Sequence, residues 1–208
     1  NSTKEAFLLN SSSFYENNES DLIGGCGNYS RGINNTGNVL HMRMNELSGT
    51  IYDSSCLANS ISVDNTAVMG AIGKFNYSFD FTSNRDRRVR VVDTNYLDLS
   101  TQGTLMTWVY LNSYTSSTNA GLIHKGEKAD KNDEAYGLIL QNAGNSLALR
   151  VNNGTTVSQL NSTYILNLGQ WYHVAATWDG SEYKIYVDGE LIDSTSSTVI
   201  PRSTTGRL

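Results

Sequence analysis

The chain is divided into short runs in which apolar and polar residues alternate. VLHMRMNEL sets Leu40, Met42 and Met44 against His41, Arg43 and Asn45. RVRVV, YLDL, TLMTWVYL, GLIHK, YGLIL, SLALRV, WYHVAATW, YKIYV and ELI follow, with Gly, Asn, Asp or Ser between them. Runs of about four to eight residues with a two-residue period are strands whose alternate side chains face a core. No stretch of about eleven residues holds the 3.6-residue apolar period of a helix. Short strands at regular spacing, separated by turn residues, predict an all-β sandwich or barrel.

The stretch WYHVAATWDGSEYKIYVDGE extends this pattern. Asp179-Gly180 and Asp188-Gly189 are two Asp-Gly turn signals around the run YKIYV. Tyr183, Ile185 and Val187 point one way and Lys184, Tyr186 and Asp188 the other, which predicts a three-stranded meander. Val174 is committed to packing. Trp108, Trp171 and Trp178 all lie in strands and are assigned to the core. In FNYSFDF, Phe75, Tyr77, Phe79 and Phe81 are expected to face in, with Asn76, Ser78 and Asp80 facing out. Residues 1–37 differ: they are rich in Asn, Ser and Gly and hold no sustained period. They are expected to be an N-terminal arm or linker, before a domain spanning 38–208.

Composition narrows the setting. The net charge is −5 and the pI about 5.1. Nucleic-acid binding needs clustered Lys and Arg. The one basic run, Arg85 to Arg90, alternates Arg88 and Arg90 against Val89 and Val91 and is a solvated strand face, so nucleic acid is not an expected partner. No run of about 18 apolar residues is present, so no membrane span is expected. The opening NSTKEAFLLN has no basic n-region or long apolar h-region. If the protein is secreted, its signal peptide is expected to be gone. Cys26 and Cys56 have no metal-finger spacing. They form one disulfide across about 30 residues, worth about 3 kcal/mol in the chain-entropy account, or remain two free buried thiols. Asn-x-Ser/Thr acceptors occur at Asn1, Asn10, Asn18, Asn28, Asn34, Asn76, Asn153 and Asn161. With the cysteine pair and the low Lys content, they favour a secreted or cell-surface glycoprotein.

LHMRMNELSGTIYDSS, GKFNYSFDF, TLMTWVYLNS, GLIHKG and WYHVAATWDGSEYKIYVDGELI, in that order, resemble the laminin-G-like branch of the concanavalin A-type lectin/glucanase superfamily. The LamG-type jelly rolls and the pentraxins are the most similar branches. The resemblance runs from about Val39 to the C-terminus. It implies a two-sheet antiparallel jelly-roll sandwich in a secreted or surface protein, with carbohydrate or protein as partner and often calcium. Family domains continue past an R-L-x-I-G-like strand into a further strand resembling I-D-E-V-R-I-Y, which is not visible after TTGRL. The expectation is that another segment fills that place, with part of residues 5–24, the chain's own or a neighbour's, as the candidate.

The chemistry points away from catalysis. Glycosidases set two carboxylates about 5–10 Å apart across a cleft, and the glucanase branch carries a compact E-x-D-x-E strand that is absent here. His41, His124 and His173 stand alone in strands, without a nucleophile and orienting partner. His173 occupies the family's H-V position and is expected to be a packed strand histidine. No enzyme is expected. Calcium takes six to eight oxygens. The loop KGEKADKNDEAY resembles the pentraxin calcium loop, which makes Asp130, Asn132 and Asp133 candidate ligands. Asp53, in the D-S-S position, is a second candidate, for a structural ion. The alternative is a solvated acidic loop. Tyr114, Tyr136 and Tyr164 are candidate exposed rings for sugar stacking. The leading expectation is a structural or assembly subunit of a surface layer, appendage or filament, joined through its arm. A carbohydrate-binding or adhesion module is the alternative.

Overall fold

The computed structural model describes residues 4–9, 37–55, 57–64, 67–81, 87–113, 119–126, 133–141 and 146–208. Its regular elements are β1 (Lys4–Leu9), β2 (Asn38–Met42), β3 (Ile61–Asp64), β4 (Val68–Ile72), β5 (Tyr77–Asp80), β6 (Arg88–Val91), β7 (Gly103–Tyr110), β8 (Ala120–Lys125), β9 (Tyr136–Leu140), β10 (Ser146–Asn152), β11 (Val157–Ile165), β12 (Trp171–Trp178), β13 (Glu182–Val187) and β14 (Glu190–Ser196), with a 3-10 turn at Asn95–Leu97. One sheet has the order β14-β13-β12-β7-β1-β2 and the other β11-β10-β9-β8; β3-β6 and β4-β5 form two-stranded ribbons. Every strand pairing is antiparallel. The architecture is an all-β sandwich, one of the two forms the alternation allowed, and the jelly roll that the resemblance implied.

The core lies between the two large sheets. β7 contributes Leu105 and Val109, β12 Tyr172, Val174, Ala176 and Trp178, and β13 Tyr183, Ile185 and Val187, all buried. β9 and β10 answer with Tyr136, Leu138, Leu140, Leu147, Leu149 and Val151. The rings of Trp178 and Tyr136 meet across the sandwich with centroids 5.4 Å apart. Gly103 lies directly opposite Trp178 in the ladder, and a Cβ there would overlap the indole. Tyr136 was a candidate exposed ring, but it is fully buried and its hydroxyl donates to the Leu97 carbonyl at 2.7 Å. Its strand is flanked on both sides, and parity puts Tyr136 on the inner face with Leu138 and Leu140.

The two Asp-Gly signals give different turns. Val187 pairs with Glu190, leaving only Asp188 and Gly189 between them, with φ of 51° and 88°. Two left-handed residues define the tight hairpin turn whose twist suits antiparallel strands. Trp178 pairs with Tyr183, so the first loop is longer. There Asp179 Oδ1 accepts from the backbone N–H of Ser181 (2.9 Å) and Glu182 (2.8 Å) and from the Ser181 hydroxyl (2.7 Å). The FNYSFDF alternation holds only in part. Phe79 is buried, but so is Ser78, while Phe75 and Tyr77 are half exposed. β5 begins only at Tyr77, and Phe75 and Asn76 belong to the turn that closes the β4-β5 ribbon (Gly73 N–H to Asn76 O, 3.1 Å).

The strand expected within residues 5–24 is β1. It lies between β2 and β7, with Ala6, Phe7, Leu8 and Leu9 opposite Met42, His41, Leu40 and Asn38 on one side. On the other side its register runs from Lys4 opposite Trp108 to Leu9 opposite Thr104. The C-terminal residues are tied to β6 and to the end of β8. Leu208 and Val91 exchange both backbone hydrogen bonds, and Gly126 N–H donates to the Arg207 carbonyl. Lys125, fully buried, anchors this segment: its ammonium donates to the carbonyls of Thr204 (3.0 Å) and Gly206 and to the Asp93 carboxylate. Three acceptors use all three donors of the ammonium, the condition for burying a charge without an orphan.

Candidate functional site

Alternation along β7 and β12 that sends one set of residues to the core sends the other to the outer face of the six-stranded sheet. There the register forms facing pairs: Tyr110 with Trp171, Trp108 with His173, Met106 with Ala175, and Thr104 with Thr177. Successive pairs on one face stand about 7 Å apart. The Tyr110 and Trp171 rings are 5.4 Å apart at 56°, and Trp108 and His173 5.3 Å apart at 60°. Phe75, from the β4-β5 turn, stands edge-on to Trp108 at 5.6 Å, and the Lys74 ammonium lies 5.0 Å from the Trp108 ring. Tyr186 packs beside Met106 and Ala175. Trp108, Tyr110, Trp171 and Tyr186 keep part of their surface in solvent.

This corrects the assignment of all three tryptophans to the core. Trp178 is buried; Trp108 and Trp171 are on the outside. Trp171 and Trp178 lie seven positions apart in one strand, an odd separation, so they must face opposite ways. His173 is likewise half-buried on the outer face. Asp188 Oδ1 accepts its backbone N–H at 2.8 Å, and its carbonyl accepts the Asp188 N–H at 2.7 Å, which pins the strand to the β13-β14 turn. Burial lowers the His173 pKa below the ordinary imidazole value, and the Asp188 carboxylate opposes that shift.

The outer face of the four-stranded sheet is polar. Arg150, buried, pairs with the buried Glu134 carboxylate at 3.2 Å and donates through Nε to Gln159 at 3.1 Å. Glu134 lies over Gly137, the residue opposite Arg150 in the ladder. Asn161 accepts from the amides of Gln141 and Gln159 through its side-chain oxygen. His124, opposite Gly137, is held below the usual imidazole value by burial and then by Arg88, with Asp133 opposing.

Of the candidate calcium residues, Asp53 and Asp133 lie among the described residues. Asp53 Oδ1 accepts the backbone N–H of His41 (2.9 Å) and Ser55 (2.8 Å). Its Oδ2 accepts the Ser55 hydroxyl (2.7 Å), the Asn59 N–H (2.8 Å) and the Asn59 amide (2.7 Å). Five donors surround this carboxylate, which fastens Asn59 and Ser55 to β2. Burial, and then Arg43, push the adjacent His41 imidazole down to about 4 against the pull of Asp53. Asp133 accepts an Arg202 guanidinium hydrogen bond at its backbone carbonyl (2.7 Å). Glu134, from the same acidic loop, is committed to Arg150. Asp130 and Asn132 lie outside the described residues. Among the described residues no three His, Cys, Asp or Glu side chains come together as a metal cluster. Cys26, Cys56, Tyr114 and the acceptors Asn1, Asn10, Asn18, Asn28 and Asn34 also lie outside the described residues. Asn76, Asn153 and Asn161 are all exposed, and Asn76 sits in its turn with φ of 52°. Tyr164 is about a third exposed and stands edge-on to Tyr172. No described helix is long and apolar enough to cross a membrane.

A family model described as the concanavalin A-like lectin/glucanases superfamily matches residues 82–208. No curated protein matches the chain. Similar solved structures include the CBM40 of the Ruminococcus gnavus IT-sialidase bound to α2,3-sialyllactose, at 21% identity and a TM-score of 0.40 over 49% of this chain and 56% of that one. The same module bound to α2,6-sialyllactose gives 20% and 0.39, over 49% and 58%. The carbohydrate-binding module CBM66 from Bacillus subtilis gives 13% and 0.33, over 54% and 73%. The chain thus spans less than two thirds of the first two. On the family match, which covers more than half of its length, the chain belongs to the concanavalin A-like lectin/glucanase superfamily.

Proposed function

We propose that this member of the concanavalin A-like superfamily is a non-catalytic carbohydrate-binding or adhesion module of a secreted or cell-surface glycoprotein. Its ligand face is the outer side of β7 and β12. The observation that carries this reading is the run of tilted and edge-on ring pairs Tyr110–Trp171 and Trp108–His173, flanked by the exposed Phe75. Sugar rings present flat C–H faces that pack on aromatic rings, and their hydroxyls need polar groups at the rim. Lys74, Asp188 and Lys184 supply that rim. Of the acids bordering the face, Asp188 is hydrogen-bonded to His173 and Glu182 is paired with Lys184 at 2.8 Å. That commitment favours holding a sugar over cleaving one. Exposure of Asn76, Asn153 and Asn161 supports glycan attachment and hence a secretory route. Calcium, if it takes part, falls to the loop that holds Asp130, Asn132 and Asp133.

The test is binding of the protein to an immobilised panel of neutral and sialylated oligosaccharides, with and without chelator. Trp171→Ala and Trp108→Ala are expected to weaken the best ligand about fivefold or more each, taking the about 1–3 kcal/mol that a planar base stacked on an aromatic ring loses on alanine substitution as the guide, with 1.4 kcal/mol tenfold. Unchanged binding in both variants, or no binding to any member of the panel, overturns the proposal. The assembly reading has one observation of its own, the place of β1.

A further inference from the structure

We infer that, among the described Asn-x-Ser/Thr acceptors, Asn153 is the one that takes an N-linked glycan in the folded domain, and that folding closes Asn76 and Asn161 to the transferase. This refines the glycoprotein part of the reading above and does not depend on what the aromatic face binds. A transferase must hold the carboxamide and the hydroxyl two residues on in one site, so both must be free of the fold. Asn76, Asn153 and Asn161 are all exposed, but the residues that follow them differ. Ser78 is fully buried, and its hydroxyl donates to the carbonyls of Ile72 (3.1 Å) and Ala71 (3.3 Å) across the β4-β5 ribbon. Asn161 is held in the β10-β11 ladder opposite Ala148, and its side-chain oxygen accepts from the amides of Gln141 and Gln159. Thr163 donates both its N–H (2.8 Å) and its hydroxyl (3.1 Å) to the Asp193 carboxylate, and Ser162 between them is buried.

Asn153-Gly154-Thr155 is open along its whole length. Asn152 opposite Val157 is the last rung of the β10-β11 ladder, and the turn residues 153–156 beyond it are all exposed. Gly154 supplies the left-handed step, with φ of 95°, and its N–H donates to Asn152 Oδ1 at 2.7 Å. Asn153 Oδ1 accepts the N–H groups of Thr155 (3.0 Å) and Thr156 (2.8 Å) and the Thr155 hydroxyl (2.9 Å). These donors turn the oxygen into the loop and leave the carboxamide nitrogen directed out of it. The hydroxyl that the transferase needs therefore already lies against the carboxamide that it modifies. With a glycosyl donor whose leaving group is a phosphate, Asn153 Nδ2 bonds to the anomeric carbon and gives up one proton. The bond from that carbon to the phosphate oxygen breaks, and the phosphate departs with the electron pair. The choice of acceptor matters for the ligand face. Asn76 adjoins Phe75, which touches Trp108, so a glycan there would lie over the aromatic rings. Asn153 belongs to the other sheet, and its glycan leaves those rings open.

The test incubates the folded full-length chain with a purified oligosaccharyltransferase and its lipid-linked oligosaccharide donor. Short synthetic peptides spanning each of the three acceptors set the intrinsic reactivity of each sequence. Site occupancy is read by mass spectrometry of proteolytic fragments. Relative to its own peptide, Asn153 in the folded chain is expected to be modified about tenfold or more faster than Asn76 or Asn161, the ratio that a local opening of about 1.4 kcal/mol imposes. Thr155→Ala is expected to abolish modification of Asn153 and Thr155→Ser to retain it. Asn76 or Asn161 modified as fast as Asn153 on that scale overturns the inference. So does an Asn153 left bare in the folded chain while its peptide is modified. Occupancy decides the inference whether or not the chain binds any oligosaccharide, so failure of the carbohydrate reading is seen separately. Where the unmodified chain binds, the chain modified at Asn153 is expected to bind equally well, and a severalfold loss would overturn the placing of that glycan away from the ligand face.

Discussion

The inner and outer faces of β7 and β12 are built from the same two strands and differ in what they can do. Inward, Leu105, Val109, Val174, Ala176 and Trp178 reach full or nearly full burial, and Gly103 clears the space for the Trp178 ring. Outward, Trp108, Tyr110, Trp171 and His173 stack in pairs yet keep contact with water. A tryptophan is therefore a packing element or an available surface according to strand parity alone. Aromatic content says nothing about the choice.

The sharpest way to break this comparison is to truncate one tryptophan on each side. Trp178→Ala removes a fully buried ring stacked on Tyr136 and is expected to cost about 3–5 kcal/mol. Gly103→Ala acts from the same side by forcing a methyl into that ring, and overpacking of this kind costs about 1–3 kcal/mol. Trp108→Ala loses a partly solvated contact, and about 1 kcal/mol is expected from its share of buried area. Urea unfolding of the three variants measures the ratio. Equal losses for Trp178→Ala and Trp108→Ala would mean that the outer face is structural, and would remove the main support for a ligand there.

The alternation that predicted the sandwich also contained this division. Val174 is assigned inward from its run, and four steps along the same strand bring Trp178 to the same face, while three steps back put Trp171 on the other. Applying to β12 the parity already applied to Tyr183, Ile185 and Val187 in β13 separates the tryptophans without coordinates. Other features had no local signal. Lys125 follows a histidine at the end of a strand, and nothing nearby announces that its ammonium will be buried against Thr204 and Gly206, some eighty residues later. Glu134 belongs to an acidic stretch that looks solvated. Its burial depends on Arg150, which comes from a different strand, and on the missing side chain of Gly137. The pairing of β1 with β7 likewise joins positions about a hundred residues apart. Periodicity is a local property, and it carried the strands and faces; long-range partners are not written in it.

A weaker effect sharpens the outer face. The His173 imidazole, beside Trp108, is held below its ordinary pKa by burial, with Asp188 acting against the shift. A lowered folded-state value means that the unfolded chain takes up the proton first as pH falls. The contribution of His173 to stability is therefore complete above about 6.5 and declines as pH drops through that value toward the folded pKa. Nitrogen chemical shifts are expected to place the His173 midpoint below 6.5, with a parallel quench of Trp108 fluorescence as the neighbouring ring becomes cationic. A midpoint at or above 6.5 would mean that the face is more open to water than the stacked geometry implies.

The smallest effect belongs to the turn that links β12 to its neighbour β13. Asp179 is exposed, yet hydrogen bonds from the Ser181 hydroxyl and from the Ser181 and Glu182 N–H groups hold its carboxyl down to about 2, and Lys184 adds a little. The sign is the same for this depressed carboxyl: the stabilising contribution is present above the unfolded value of 3.8 and is lost as pH falls through about 2. Asp179→Asn keeps an acceptor oxygen and removes the charge, whereas Asp179→Ala removes both. Thermal melts at pH 7 are expected to rank wild type above Asn and Asn above Ala. The gap between wild type and Asn should narrow in melts taken between pH 4 and pH 2. If Asn and Ala destabilise equally, the charge rather than the loop geometry holds the turn, and the stabilisation should then fall with added salt. The Asp188-Gly189 turn is the internal reference: its two left-handed residues set the hairpin through backbone conformation, so Gly189→Ala there should cost stability at every pH.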